Sequence, residues 1–318
     1  MTGDDPTQRA ELDDRQFLFV TGKGGVGKTT VCASMALAMA ERGKRVLVAM
    51  SGAHERLSSI LGTPPIEHDV HELAPNIWAT KIEPERAMEE YGELVIGSRT
   101  IAKAVFDNRY TNAFFRAVPG LFDWAMLGKA WWHTTELDDD EHPKYDIVLF
   151  DAPSTGHGLD MLRVPKVILD IVPPGVLRRD AEAAWAMFRD PKRSGVVVVT
   201  LPEDMPTTET IELVAALQGE LHLPVHRLVV NAMMPPLFDA AEREKLTSDS
   251  RLLDVRVNPT DVGERALAVA ARRAAREASQ EDCKERLVEA LELTMMTLPF
   301  LLDGAGTPEG ARQLAAYL

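Results

Sequence analysis

The run Phe17-Leu18-Phe19-Val20-Thr21-Gly22-Lys23-Gly24-Gly25-Val26-Gly27-Lys28-Thr29-Thr30 decides the fold. Four apolar residues (17–20) lead into a glycine loop, and a helix-forming stretch from Val31 to Arg42 follows. Strand, loop and helix in that order make the setting a P-loop needs, and Gly22, Gly27, Lys28 and Thr29 satisfy G-x-x-x-x-G-K-[ST]. Glycines let the backbone close around phosphate oxygens that a Cβ would strike. The N–H groups of the loop and of the helix start (Gly22, Gly24, Gly25, Val26, Gly27, Lys28, Thr29 and Thr30) are then expected to point at the anion. Lys28 is expected on the β/γ-phosphates and the Thr29 hydroxyl on Mg²⁺. The sequence predicts a nucleoside-triphosphate-binding chain.

Outward from the loop, valine- and leucine-rich runs alternate with helical patterns, the signature of a parallel sheet covered on both faces. Strands are predicted near 16–21, 45–50, 77–81, 146–151, 195–201, 227–232 and 294–299. Helices are predicted near 28–42, 54–61, 84–130 in pieces, 159–190, 205–221 and 260–293. Pro64-Pro65, Pro173-Pro174 and Pro235-Pro236 read as loops. The expected organisation is a doubly wound α/β domain over 16–318, with a helical insertion at about 84–140 and a disordered acidic lead-in over 1–15.

At 318 residues the chain can bury a sizeable core. Its 35 basic and 49 acidic side chains give a net charge of −14, a field that opposes a general nucleic-acid or anionic-membrane surface. No apolar run approaches the ~18–20 residues of a membrane span. The acidic, polar start MTGDDPTQRAELDD reads as neither signal nor transit peptide, so the cytoplasm is the expected address. Cys32 and Cys283 lie far apart in helix-like segments and read as inert thiols. Three of the five tryptophans, Trp124, Trp131 and Trp132, fall within nine residues of the insertion. Phe106, Phe114, Phe115, Leu121, Phe122, Met126 and Leu127 lie nearby. Such density fits core packing between helices or an apolar surface for a partner, and the sequence leaves both open. The tract Glu136–Glu141 reads as a solvated loop, with an acidic metal cluster as the alternative.

Asp146-Ile147-Val148-Leu149-Phe150-Asp151 is a buried-strand pattern ending in an acid, as a Walker B strand should be. Ala152-Pro153-Ser154-Thr155-Gly156-His157-Gly158 follows it, and Met161-Leu162-Arg163-Val164-Pro165 comes next. DAPSTGHGLDMLRVP together with GKGGVGKTT resembles the ArsA-type ATPases, the family of the arsenite-pump and tail-anchored-protein-targeting ATPases. The resemblance covers most of the chain and implies a SIMIBI-like P-loop fold with a deviant Walker A motif. It implies ATP and Mg²⁺ as ligands, with Asp151 beside Thr29 on the metal, since a carboxylate is a hard-oxygen ligand. It implies that Lys23 neutralises phosphate charge across a dimer interface, so Lys23, Lys28 and Asp151 are the expected catalytic set. LVVNAMMPP (228–236) and TLPFL (297–301) are similar to the family's adenine-contacting segments, which implies base contacts at Asn231 and Pro299. VVVTLPEDMPTTETIEL (197–213) is similar to the segment bearing dimer-interface residues. Gly156 falls where a switch backbone N–H senses the γ-phosphate. His157 reads either as the link from that loop to the helical region or as a structural histidine.

Two departures qualify the resemblance. Family members usually carry Asp-Pro-Ala-His after the second strand, and here Ser51-Gly52-Ala53-His54 stands there. Ser51 therefore occupies the place of the water-orienting aspartate. A serine is no base near neutral pH, and general-base help is worth roughly 10²–10⁴-fold, so slow hydrolysis is expected. Glu55 is the substitute base the sequence offers. With two cysteines, neither a metalloid-binding triad in one chain nor a CxxC zinc clasp between two copies can form. The expected function is an ATP hydrolase of degenerate turnover: a dimeric switch, as a homodimer or beside a paralogous ATPase, coupled to a protein client. A nucleotide-locked scaffold and a ParA/MinD-like positioning ATPase are the rival readings. No nucleic acid and no stable membrane insertion are expected.

Overall fold

The computed structural model describes residues 12–51, 55–96, 120–153, 155–254 and 261–318. Among the described residues eight strands form a single sheet: β1 (Phe17–Thr21), β2 (Val46–Ser51), β3 (His71–Ala74), β4 (Ile77–Ile82), β5 (Ile147–Asp151), β6 (Ser194–Thr200), β7 (Val225–Met233) and β8 (Met295–Pro299). Their order across the sheet is β3-β4-β2-β5-β1-β6-β7-β8, and all pairs are parallel except β3 with β4. The seven strands expected from apolar runs are all present. β3 escaped prediction because its sequence, HELA, is polar and exposed and pairs on one side only. An edge strand need not carry the apolar run of a buried one.

Both faces of the sheet are covered. Side chains alternate across each strand, so Phe17 and Phe19 join one core while Leu18 and Val20 join the other. The second core is built on α1 (Lys28–Glu41) and α2 (Leu57–Leu61). The first lies under α3 (Pro84–Ile96), α4 (Leu121–Trp132), α5 (Thr155–Ile171), α6 (Val176–Phe188) and α7 (Asp204–Ala215). The helix expected over 159–190 is two helices, because Pro173-Pro174 cannot continue the first and α6 restarts after Gly175. Two further helices that the sequence did not suggest, α8 (Ala240–Thr247) and α9 (Ser250–Leu253), pack on the long α10 (Val262–Ala290).

At the N-terminus, residues 1–11 of the predicted disordered lead-in lie outside the described residues. Residues 12 and 13 are packed into the fold. Leu12 is buried, and the buried Asp13 carboxylate accepts two bonds from Arg42, one at 2.8 Å from Nη2. Within the helical insertion, Phe106, Phe114 and Phe115 lie outside the described residues. The rest divides: Trp124 and Leu127 are fully buried, Trp131 is half-buried, and Trp132 is 41% exposed. The acidic tract after it is a turn. The Asp138 carboxylate accepts backbone N–H bonds from Asp140 and His142 and pairs with Arg45. No group of three or more His, Cys, Asp or Glu is placed to hold a metal among the described residues. No helix among them is long and apolar enough to cross a membrane.

The chain ends in α11 (Pro308–Ala315), capped by the Thr307 hydroxyl accepting from the Gly310 N–H. Its apolar face (Ala311, Leu314, Ala315) is buried against α1 and α2. That places the helix in the core and leaves its apolar face unavailable as a surface anchor. Leu314→Ala is accordingly expected to lower the unfolding free energy by about 2–5 kcal/mol in denaturant titration. A loss below about 0.5 kcal/mol, as at a surface position, would show α11 to be loosely attached.

Candidate functional site

The parallel sheet puts the C-terminal ends of β1, β2, β4 and β5 on one edge. Val20 of β1 sits beside Asp151 of β5, Asp151 beside Met50 of β2, and Met50 beside Lys81 of β4. β1 is the point where connections leave in opposite directions, to β2 on one side and from β5 to β6 on the other. Such switch points are where α/β sheets open a crevice for ligands. The glycine loop fills this position between β1 and α1.

Two of its glycines are required by space as well as by φ. A Cβ on Gly22 (φ +148°) would stand 2.1 Å from the Val199 carbonyl oxygen, and one on Gly27 (φ +94°) would stand 2.4 Å from Asn231 Nδ2. Gly27 starts α1, whose first turn has neither a capping side chain nor an acid. The N–H groups there are left for an anion. Gly24 and Gly25 lie at the exposed crest of the loop, while Val26 is buried beneath it. Lys28 curls back over the loop, donating to the carbonyls of Gly22 (3.1 Å) and Lys23 (3.0 Å). Burial lowers its pKa, and the Asp151 charge works against that shift.

Thr29 and Asp151, far apart in sequence, meet directly: Thr29 Oγ1 donates to Asp151 Oδ2 at 2.6 Å. Asp151 is 7% exposed, and its Oδ1 is buried without a partner among the described residues. Burial pushes its pKa up to about 6, against the opposing Thr29 hydrogen bond and Lys28 charge. A buried carboxylate oxygen lacking a donor, beside a hydroxyl and an ammonium, is a place where a hard cation fits. A cavity of about 500 Å³ opens here, lined by Gly25, Gly27, Lys28, Thr29, Thr30 and Asp151 and, on its far side, by Ser51, Glu55, Arg56 and Lys81. Arg56 and Lys81 were missed by sequence reasoning. The signal for Lys81 was available: it is a charged residue near the C-terminal end of a parallel strand, where α/β sites collect.

Several other sequence-singled residues have definite places. The Ser51 hydroxyl donates to the Asp151 carbonyl at 3.1 Å. Both carboxylate oxygens of Glu55 are engaged by Ser58, one by its N–H at 2.7 Å and one by its hydroxyl. Gly52, Ala53, His54 and Ser154 lie outside the described residues. So do the side chains of Thr155, Gly156 and His157 at the start of α5. Lys23 is paired with Glu209 of its own chain. Asn231 is apart from the cavity lining: its Nδ2 donates to the Val26 carbonyl at 2.9 Å, and its Oδ1 accepts from the Ala232 N–H. Pro299 ends β8 opposite Met233, and the Phe300 N–H donates to the Met233 carbonyl. The loop after β7 is held from behind by buried polar side chains of α10. Gln280 accepts from the Met234 N–H, and Glu277 accepts from those of Leu237 and Phe238. Cys32 and Cys283 are both buried and free.

The fold and this site define a P-loop nucleotide-binding protein. The family model for anion-transporting ATPases of the ArsA type matches residues 15–173, half of the chain, from β1 through α5. The chain belongs to the ArsA-type ATPase family. It is 27% identical to ATPase BagA of Mycobacterium tuberculosis over 309 residues, covering 93% of this chain and 90% of that protein. It is 26% identical to the arsenical pump-driving ATPase of Escherichia coli over 237 residues, 69% of this chain and 40% of that protein. ATPase GET3B of Arabidopsis thaliana is 25% identical over 272 residues, 70% of this chain and 65% of that protein.

The raised Asp151 pKa has a measurable consequence in the nucleotide-free chain. The native state binds this proton at about pH 6, whereas the unfolded chain binds it only near 3.8. Between those values the folded form holds more protons, so this group stabilises the fold progressively as pH falls through 6. Asp151→Asn removes the dependence. The variant is expected to be the more stable at pH 7.5 by up to about 3 kcal/mol, with the gap closing toward pH 4.5. A gap that is flat across this range would mean the carboxylate titrates normally.

Proposed function

We propose that this chain is a Mg·ATP-dependent molecular switch that closes as a dimer and turns ATP over slowly. In this reading the backbone of Gly22, Gly24, Gly25, Val26, Gly27 and Thr30 cradles the triphosphate, and Lys28 neutralises its β/γ charge. Thr29 and Asp151 hold Mg²⁺, and Asn231 and Pro299 border the adenine. Bound Mg²⁺ supplies charge neutralisation at the γ-phosphate. Lys23 acts across the interface of a homodimer or of a pair with a paralogous ATPase. Closure needs only that the nucleotide bind the paired state more tightly than the open one. The helical layer is the part that would read closure out to a protein client. An apolar cavity of about 350 Å³ lined by Tyr91, Trp124, Trp131 and Trp132 supports that assignment.

The observation that carries slow turnover is the state of the two groups nearest the missing aspartate's place. Ser51 donates to the Asp151 carbonyl, and both Glu55 oxygens accept from Ser58, so both side chains are held by local hydrogen bonds. The same observation favours a second reading, in which this chain is the hydrolysis-poor half of a heterodimer and the partner supplies turnover. A stable homodimer with full activity would exclude that second reading.

ATP turnover by the purified chain, with bound nucleotide quantified in parallel and Lys28→Ala as the blank, tests the proposal. The expected outcome is retained ATP, with turnover raised by roughly 10²-fold or more in Ser51→Asp. Rapid turnover by the unaltered chain, lost in Glu55→Gln, would instead make Glu55 the base and overturn slow hydrolysis.

A further inference from the structure

Lys23 is the cation that the dimeric reading needs on a partner's phosphates, yet in the single chain it is already occupied. Its ammonium is paired with the Glu209 carboxylate of α7 and lies 3.6 Å from Met205 Sδ. Met205 and Glu209 are four residues apart and share one face of α7. The acceptor is firmly mounted. Thr210 donates to the Thr200 hydroxyl of β6 at 2.9 Å, and Arg286 of α10 bonds both Asp204 and Thr208 at the start of α7. The lysine, by contrast, projects from a loop between Gly22 and Gly24, a segment built of residues that tolerate backbone change. The second Glu209 oxygen is buried and has no partner among the described residues. Departure of Lys23 would thus leave a half-buried carboxylate with neither oxygen satisfied, a state with a free-energy cost.

We propose that Glu209 is a latch in cis: it holds Lys23 against its own α7, and pairing of two copies has to break this contact. The proposal rests on the dimeric reading above and deepens it, because it names the residue that sets how readily ATP drives pairing. One ammonium cannot sit on Glu209 and reach a partner's phosphates at the same time. Met205, 65% exposed beside the latch, puts an apolar side chain on the surface that Lys23 would cross. Glu209 acts through Lys23 and is a positioning residue, so its removal should change pairing without changing how a single chain binds nucleotide.

The test is sedimentation velocity with Mg·ATP across protein concentration, for the unaltered chain and for Glu209→Gln, Lys23→Ala and the double variant. ATP affinity is measured in parallel at concentrations where the chain is monomeric. Glutamine keeps the shape and removes the charge, so the fold is retained, and a melting curve checks this. Two part-exposed ion pairs are broken per dimer, so Glu209→Gln is expected to tighten ATP-dependent pairing about three- to tenfold. Monomer affinity for ATP should stay unchanged, and the gain should vanish in the Lys23→Ala background. Equal or weaker pairing of Glu209→Gln, with Lys23→Ala monomeric, overturns the latch and leaves the dimeric reading standing. Pairing of Lys23→Ala as strong as that of the unaltered chain, or no pairing of any variant, overturns both.

Discussion

A buried carboxylate, with one oxygen on Thr29 and the other without a partner among the described residues, is the constraint on which the rest of this structure turns. The Thr29 hydrogen bond and the Lys28 charge offset part of the desolvation of Asp151, and a cation at the second oxygen would offset more. The Thr29–Asp151 bond of 2.6 Å joins the first turn of α1 to the end of β5, so the anion-binding helix start and the acidic strand end form one unit. Neither could be placed without the other, since β5 borders β1 only because the chain returns to insert it between β2 and β1. Burial that raises the Asp151 pKa also lowers that of Lys28, so each charge is unfavourable alone and favours the other.

Two sides of this unit differ in how they are held. On the β6–β8 side the loop is braced: Gly22 abuts the Val199 carbonyl, Gly27 abuts Asn231, and buried Gln280 and Glu277 fix the chain after β7. Close contact of this kind transmits displacement with little give. On the β2–β4 side the cavity is walled by charged side chains, Arg56 and Lys81 among them, with Ser51 and Glu55 committed to local hydrogen bonds. Rigid support thus lies behind the loop and polar side chains lie ahead of it. Lys23 sits at the boundary, on the loop but tied to α7.

Much of this was legible in residue order. Val46–Met50 and Ile147–Phe150 are apolar on both faces, as strands covered by helices must be, and the loop reads as a phosphate cradle without coordinates. Polar β3 was illegible because local sequence carries no mark of the neighbour that completes it, whereas α8 and α11 had readable caps at Asp239 and Thr307 that sequence reasoning passed over. Leu314 and Ala311 find their place only against α1 beneath them. Arg56 and Lys81 belong to no motif; Lys81 stands at the end of a legible strand, and the register of β4 against β2 brings it beside Met50 at the site.

The sequence by itself determined the class of fold, the phosphate loop and the acidic strand end. Each is written in contiguous residues and follows from periodicity, glycine geometry or the chemistry of one side chain. Only the tertiary structure decided what those residues touch: Ser51 on the Asp151 carbonyl, Glu55 on Ser58, Asn231 on Val26 and Lys23 on Glu209. A side chain's partner is set by which distant strand or helix the sheet order brings beside it. That is a property of the whole wound chain, and no local pattern encodes it.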